Sequence, residues 1–397
     1  MPVNSSRDAI PPRRHDGRSR RRAQLSRRDF LALAAAGLVT GCSTGTPQIP
    51  SATATPVLTS GPTTAAPVED ATPTPRPTAV PTATFTPLPD IEVRRPDLIQ
   101  RYPDGVSRVV HAHHDGAWRD GALAPEALGE MLASSITALT GMDDARAAWA
   151  SLFSPDERVA IKVNAFRNSI IWTHVPLVTA VTGALQDAGV LPEHILIFDY
   201  YTSELVEAGF AVNRDGPGVR CFGTDADYSA GFEVADYPTK LSNCLLGCHA
   251  LINMPVLKSH MIAGLTFALK NHYGTIPNPE AYHYGARMEA GMAQLNALPP
   301  IKDRTRLVIG DALTACLRYG NSWPYWESDY TGDAILMSFD PVAADAVALE
   351  LLASLLEADG GNAAALRGMA EPWLASSRAI GLGTSHLDEI DLVELSL

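Results

Sequence analysis

The sequence predicts an α/β domain with a mainly parallel, mixed sheet flanked by helices, and three observations predict it. Short apolar runs at residues 158–163, 194–198 and 251–253 end abruptly in polar residues instead of alternating, as strands buried on both faces do. Before and between the early runs lie stretches with apolar side chains at helical spacing, among them 125–139 and 174–188. Strand, helix, strand at this spacing is a parallel crossover unit, and the chain repeats it.

The length of 397 residues allows one large domain or two small ones with tails, and 46% hydrophobic content supports a sizeable core. Charge is unevenly placed. Residues 1–41 hold nine Arg against three Asp, so the formal net charge of −13 becomes −19 for residues 42–397. An acidic body disfavours a nucleic-acid partner, because phosphate backbones are bound by basic surfaces. A small anionic molecule would need a local basic pocket, which makes the few lysines informative.

Three segments are expected: a signal peptide (1–41), a linker (42–97) and the α/β domain (98–397). Ser26-Arg27-Arg28-Asp29-Phe30-Leu31 is a twin-arginine signal in which Ala32 replaces the lysine often found next, and the apolar run after it is too short to span a bilayer. Leu38-Val39-Thr40-Gly41-Cys42 resembles a lipobox, with Cys42 as the lipidated mature N-terminus. Such a chain would use the twin-arginine export machinery and be held at the membrane, outside the cytoplasm, by its lipid alone. From Ser43 to Asp90, Thr, Pro, Ala and Ser dominate, a composition that cannot bury enough surface to offset its ordering entropy. Fully extended at about 3.1 Å per residue, this tether would reach roughly 150 Å.

Within the domain, residues 106–112 read as a first strand running into His111-Ala112-His113-His114-Asp115. His111 and His113 share a strand face and are candidate ligands of a divalent metal. Helical spacing follows at 125–139 and 143–152, then a strand that places Lys162 at its carboxyl end with Asn164 just beyond. In open α/β sheets that edge is where ligands bind. The next strand ends at Asp199, which either binds a metal or a hydroxyl, or caps a helix at 203–208. A short strand is expected at 219–222, and irregular chain from there to Leu246. Cys221, Cys244, Cys248 and Cys316 are compatible with disulfides or buried thiols, and lack the clustering an iron–sulfur cluster needs.

The most informative stretch comes next. Asn253-Met254-Pro255-Val256-Leu257-Lys258-Ser259-His260 is followed by Leu269-Lys270-Asn271-His272-Tyr273-Gly274. The spacing predicts a strand ending near Asn253, a loop carrying Lys258 and His260, and a helix over 262–273. On such a helix Lys258 and Lys270 would stand about 18 Å apart, at 1.5 Å per residue. The two segments resemble the signature of family 362 of the domains of unknown function, Asn-x-Pro-x-Leu-Lys-x-His followed by Leu-Lys-Asn-x-x-Gly. The likeness extends more loosely from about Val109 to the C-terminus, through Lys162-Val163-Asn164, Asp199, Asp311 and the segment Asp340 to Asp345. The family's chemistry is not established, and some of its members carry appended iron–sulfur segments. The resemblance implies a site made from these residues rather than a reaction.

Beyond the signature, Tyr282-His283-Tyr284 reads as a lid or as packing, 287–298 as a helix and 307–309 as a strand ending at Gly310-Asp311. A strand at 335–339 precedes Asp340, placed to cap a helix that starts at Pro341 and runs to Leu356. Asp345 lies among alanines, where burial demands a partner, and Lys162 is the candidate. A helix near 373–380 and a strand near 390–395 close the chain.

These residues support an exported, membrane-tethered enzyme acting on a small anionic molecule. His260 would serve as acid or base, Lys258 and Lys162 would bind charge, and Asp311 or Asp199 would orient substrate or metal. Asn164, Asn253, Lys270, Asn271 and Asp345 complete the expected substrate-contacting set. The alternatives are an extracytoplasmic ligand-binding module, and a metal or iron–sulfur protein linked to redox chemistry. No Gly-x-Ser-x-Gly elbow, phosphate loop or dinucleotide glycine fingerprint is present.

Overall fold

The computed structural model describes residues 106–166, 169–320 and 324–397. The signal sequence, Cys42, the linker and residues 98–105 of the expected domain lie outside the described residues.

Along the chain the strands are β1 (Ser107–His113), β2 (Trp118–Arg119), β3 (Ala122–Leu123), β4 (Val159–Lys162), β5 (Ile195–Phe198), β6 (Arg220–Cys221) and β7 (Tyr228–Val234). They continue as β8 (Tyr237–Ser242), β9 (Ala250–Asn253), β10 (Val256–His260), β11 (Gly264–Thr266), β12 (Thr305–Cys316), β13 (Tyr330–Ser338) and β14 (Ile390–Ser396). Ten of them form one mixed sheet in the order β14-β1-β13-β12-β9-β4-β5-β6, with β10 and β11 attached beside β12. The run β12-β9-β4-β5-β6 is parallel, whereas β13 is antiparallel to both of its neighbours. This is the mainly parallel, mixed sheet that the apolar runs predict.

Helices cover both faces, as a parallel sheet with two apolar faces requires. Leu128, Met131 and Ile136 of Pro125–Thr140, Trp149 of Ala145–Leu152 and Val178 of Val175–Asp187 pack with Ile161, Ile195 and Ile309. On the other face Val347 and Leu352 of Pro341–Ala358 and Trp373 of Ala363–Ala379 pack with Ala160, Leu251 and Leu336. Asp340 caps Pro341–Ala358 as expected, its side chain accepting from the Val342 and Ala343 N–H groups. Among the described residues no helix is long and apolar enough to cross a membrane.

Three expectations are corrected. Residues 256–260 are not a loop: β10 continues β9 end to end, and both pair in parallel with the long strand β12. Their junction is held by Met254 N–H donating to Lys162 O and Asp311 N–H to Pro255 O, both at 2.8 Å. Nor is 262–273 one helix. The chain reverses into β11, and only Ala268–Asn271 is α-helical, followed by a 3-10 turn at His272–Thr275. Gly264 permits the reversal. Its φ is +73°, and a Cβ there would lie 2.3 Å from the Leu366 carbonyl oxygen. Finally, the stretch read as irregular contains the β7–β8 hairpin. Its glycine, its bulge at Ser229/Gly231 and its largely exposed first strand blur the alternation that a hairpin normally shows. Cys221, Cys244, Cys248 and Cys316 are buried and free, which selects the thiol reading over disulfides.

Candidate functional site

The parallel ladder decides where the site forms. Lys162 is in register with Phe198 on one side and Asn253 on the other, so three strands end together. Asp199 follows one of these ends and Asn164 another. The β10–β11 hairpin then folds Lys258, in register with Thr266, back over this edge. A cavity of about 470 Å³ results, lined by Lys162, Asn164, Asp199, Lys258, His260, Lys270 and Asn271 together with an aromatic wall that includes Trp326 and Tyr319.

Lys162 and Asp199 form the floor. Lys162 Nζ lies 2.5 Å from Asp199 Oδ1 and donates to Val163 O at 2.7 Å, while Asp199 also accepts from the Ala165 and Tyr200 N–H groups. The pair is almost wholly buried, and its charges are mutually satisfied. Gly274 makes room for it, since a Cβ there would come within 2.7 Å of both Lys162 Nζ and Asp199 Oδ1.

Lys258 is held differently. Its Nζ donates to Asn164 Oδ1 at 2.7 Å, Asn164 Nδ2 to Asn271 Oδ1 at 3.1 Å, Asn271 Nδ2 to Asn253 Oδ1 at 2.7 Å, and Asn253 Nδ2 to Ala268 O at 2.7 Å. The chain of amides runs in one direction, and its far end at a backbone carbonyl orients every member. Lys258 is therefore a donor to Asn164 in either protonation state. It is 1% exposed, with its ammonium 5.2 Å from the centre of the Trp326 ring. No salt bridge engages it among the described residues, and burial lowers it to about 7.

Lys270 is also buried, and burial together with the charge of Lys258 brings it to about 7. Its Nζ lies 3.0 Å from His283 Nε2, and His283 Nδ1 lies 2.8 Å from Pro279 O. A carbonyl can only accept, so His283 carries its proton on Nδ1 and accepts from Lys270 through Nε2. Burial and Lys270 lower His283 to about 4, which keeps it neutral. In His260 the pattern is reversed: Nδ1 accepts from the Ile262 and Ala263 N–H groups, both at 3.1 Å, which places the proton on Nε2. Burial, with Lys270, His283 and Lys258 nearby, pushes His260 well below its ordinary value. His260 thus faces the cavity as a neutral ring with an Nε2–H hydrogen-bond donor.

The remaining expected residues are placed elsewhere. Asp311 is wholly buried outside the cavity, its carboxylate bound to the His174 N–H and Nδ1 at 2.7 and 2.8 Å. Burial opposes the His174 charge, and the Asp311 carboxylate more than restores it. Asn253 is an interior link of the amide chain. Asp345 has no lysine partner: its two oxygens accept from the Ala268 and Leu269 N–H groups at 2.6 and 3.0 Å. It caps, from a neighbouring helix, the turn that carries Lys270 and Asn271, although burial pushes its carboxyl up to about 8.

The expected metal ligands also divide. Asp199 is engaged by Lys162 and two backbone N–H groups. His111 lies 3.8 Å from Glu394, with its ring 6.2 Å from that of His113. His113 instead converges with Asp115 and Asp333, whose ligand atoms all lie within 4.8 Å of one another, an arrangement that could hold a metal ion. Sequence reasoning gave Ser169 and Trp326 no part in the main site, whereas His283, read there as part of a lid or of packing, lines the cavity. Trp326, with Tyr319 and Tyr325, reaches the cavity from a loop with no periodicity, and Ser169 lies at the edge of reach of Lys258.

The fold and cavity define an α/β domain with a lysine-lined site at the carboxyl edge of its parallel strands. Residues 159–350 match the family model described as domain of unknown function DUF362, a span that contains every lysine of the site. No curated protein matches the sequence. Among solved structures, the lactate racemase apoprotein from Thermoanaerobacterium thermosaccharolyticum aligns at 8% identity and a TM-score of 0.36, covering 60% of this chain and 56% of that one. A Thermotoga maritima protein from a structural genomics consortium aligns at 11% identity and a TM-score of 0.35, covering 58% and 59%. The alignments thus span less than two thirds of either protein.

Proposed function

We propose that the cavity binds a small anionic molecule and carries out acid–base chemistry on it, in an enzyme exported as a lipoprotein through its twin-arginine signal and Cys42. The observation that carries the reading is the pair Lys258 and Lys270. Both are buried, line one cavity and have no carboxylate partner among the described residues. A buried ammonium without a counter-ion is costly, and a bound anion supplies one. Lysines brought near neutrality can also exchange protons at physiological pH.

The pH dependence has a definite sign. Lys258 and Lys270 fall from 10.5 to about 7 on folding. Between those values the unfolded chain holds protons that the folded lysines lack, so the empty protein gains stability as pH rises through that window. An anion prefers the charged lysines, so above about pH 7 its binding must take up protons and weaken, by up to roughly tenfold per pH unit for each proton. The groups facing this pair are His260, His283, the Lys162–Asp199 ion pair, Glu204, Glu280 and Cys316; the histidines stay neutral across this range, and burial pushes the Cys316 thiol up to about 11.

Thermal-shift titration with phosphate and with small mono- and dicarboxylates checks the reading. We expect the largest shifts near pH 6, a decline through pH 7, and loss of the effect in Lys258→Met and Lys270→Met. Shifts that ignore both pH and these substitutions would overturn it. For the anchor, labelling of cells with a radioactive fatty acid is expected to mark the wild-type chain and not Cys42→Ser; equal labelling of both removes Cys42 as the attachment point.

A further inference from the structure

We infer that Lys258 is a carbonyl-directed nucleophile and that the substrate class of this site is a small oxo acid, held by its carboxylate at Lys270 and attacked at its carbonyl carbon by Lys258 Nζ. This rests on the anion-binding reading above and extends it from charge to covalent chemistry.

The two lysines have different surroundings. Lys270 donates to a neutral His283 nitrogen, and its ammonium lies 4.7 Å from the centre of the Tyr273 ring. Its partners are a neutral ring nitrogen and a π face, neither of which neutralises a positive charge, so a carboxylate can supply the counter-charge. Lys258 has no carboxylate within salt-bridge distance among the described residues; one of its N–H bonds is committed to Asn164 Oδ1 by the directed amide chain, and Ser169 Oγ lies at the edge of reach, 3.5 Å away. When Lys258 is neutral, this leaves its lone pair free. Two ammonium groups in one buried cavity disfavour each other's charge, and a neutral lysine beside a second cation is the arrangement that activates a lysine for attack on a carbonyl.

The rest of the cavity suits the electrophile. Thr266, in register with Lys258, lines the cavity with a buried Oγ1 that has no hydrogen-bond partner among the described residues. Neutral His260 supplies an Nε2–H donor on the same strand, two residues from Lys258. Both are suited to an oxygen that gains charge during addition. In the addition, a C–N bond forms as the carbonyl π pair moves to oxygen, and an amine proton passes to that oxygen to give a carbinolamine. The C–O bond then breaks, oxygen leaves as water with both former amine hydrogens, and a neutral imine remains. No oxidant or metal is needed.

The experiment is reductive trapping on the folded protein. It is incubated with pyruvate or 2-oxoglutarate and sodium cyanoborohydride, then digested for peptide mass spectrometry. The expected result is one reduced adduct, on Lys258, abolished in Lys258→Arg and reduced at least tenfold in Lys270→Gln. Thermal shifts with the same oxo acids and with acetate and succinate, which lack a ketone, are recorded in parallel. If carboxylates stabilise the protein but adducts are absent or scattered over exposed lysines such as Lys240, the covalent inference is overturned and the anion site stands. If no carboxylate stabilises it and no adduct forms, both fall. A Lys258→Arg variant with a wild-type urea midpoint ensures that loss of the adduct does not reflect unfolding.

Discussion

Asp199→Ala is expected to destabilise the domain more than any other single change at the site, by about 3–5 kcal/mol, because it leaves the charge of Lys162 buried without a partner. The carboxylate also accepts two backbone N–H groups, from Ala165 and Tyr200, which lose this acceptor with it. Urea denaturation gives the measure: the midpoint should fall while the slope is kept, as for a change in stability rather than in compactness. A paired Asp199→Leu, Lys162→Met variant should recover most of the loss, since replacing both members of a buried ion pair by apolar groups is often near neutral. A single variant within about 0.5 kcal/mol of wild type would show that the pair does not hold the floor together.

The second large effect is expected at Asp345, which touches no cavity atom. Asp345→Ala removes the acceptors of two buried N–H groups, at about 1–3 kcal/mol for each group left unsatisfied. The helix Ala268–Asn271 begins at those groups and carries Lys270 and Asn271 into the cavity. We therefore expect the affinity for the best anion in the thermal-shift series to fall at least tenfold, with both lysines still present. Asp345→Asn keeps one acceptor oxygen and should restore part of both losses. Calorimetric titration on the folded fraction decides the matter: unchanged affinity in Asp345→Ala would mean that Lys270 is positioned by its packing alone.

The two variants separate what local pattern can reveal from what it cannot. Lys162, Lys258 and Lys270 stand out in the sequence because an acidic chain places them in short, recognisable segments. All three line one cavity. Their partners do not follow from the sequence in the same way. Asp345 was paired in expectation with Lys162, a reasonable demand of burial, yet its acceptors are filled by backbone N–H groups 77 and 76 residues away in the chain. Asp311 has the chemistry of a site residue and the position of one, at the upper part of a strand, but it serves His174 at a helix start. Polar residue type and burial predict that a partner exists; they do not say which group it is.

The single-helix expectation over 262–273 failed for a related reason. Helical spacing of apolar residues was present, but Gly264 and a tight approach to Leu366 favour a reversal, and the contact that makes the approach tight comes from a helix a hundred residues later. That reversal is what brings Lys270 into the same cavity as Lys258, a meeting that a straight helix would have prevented.

By itself the sequence determined the class of fold, the strand ends that gather at the edge of the cavity, and the lysine-bearing segments that reach it, because these depend on periodicity and on residue chemistry within a few positions. The tertiary structure alone decided which groups share the cavity, which lysine has a counter-ion, and which histidine nitrogen carries the proton. Those outcomes depend on long-range packing, where a buried charge takes whichever donor or acceptor the fold brings within about 3 Å.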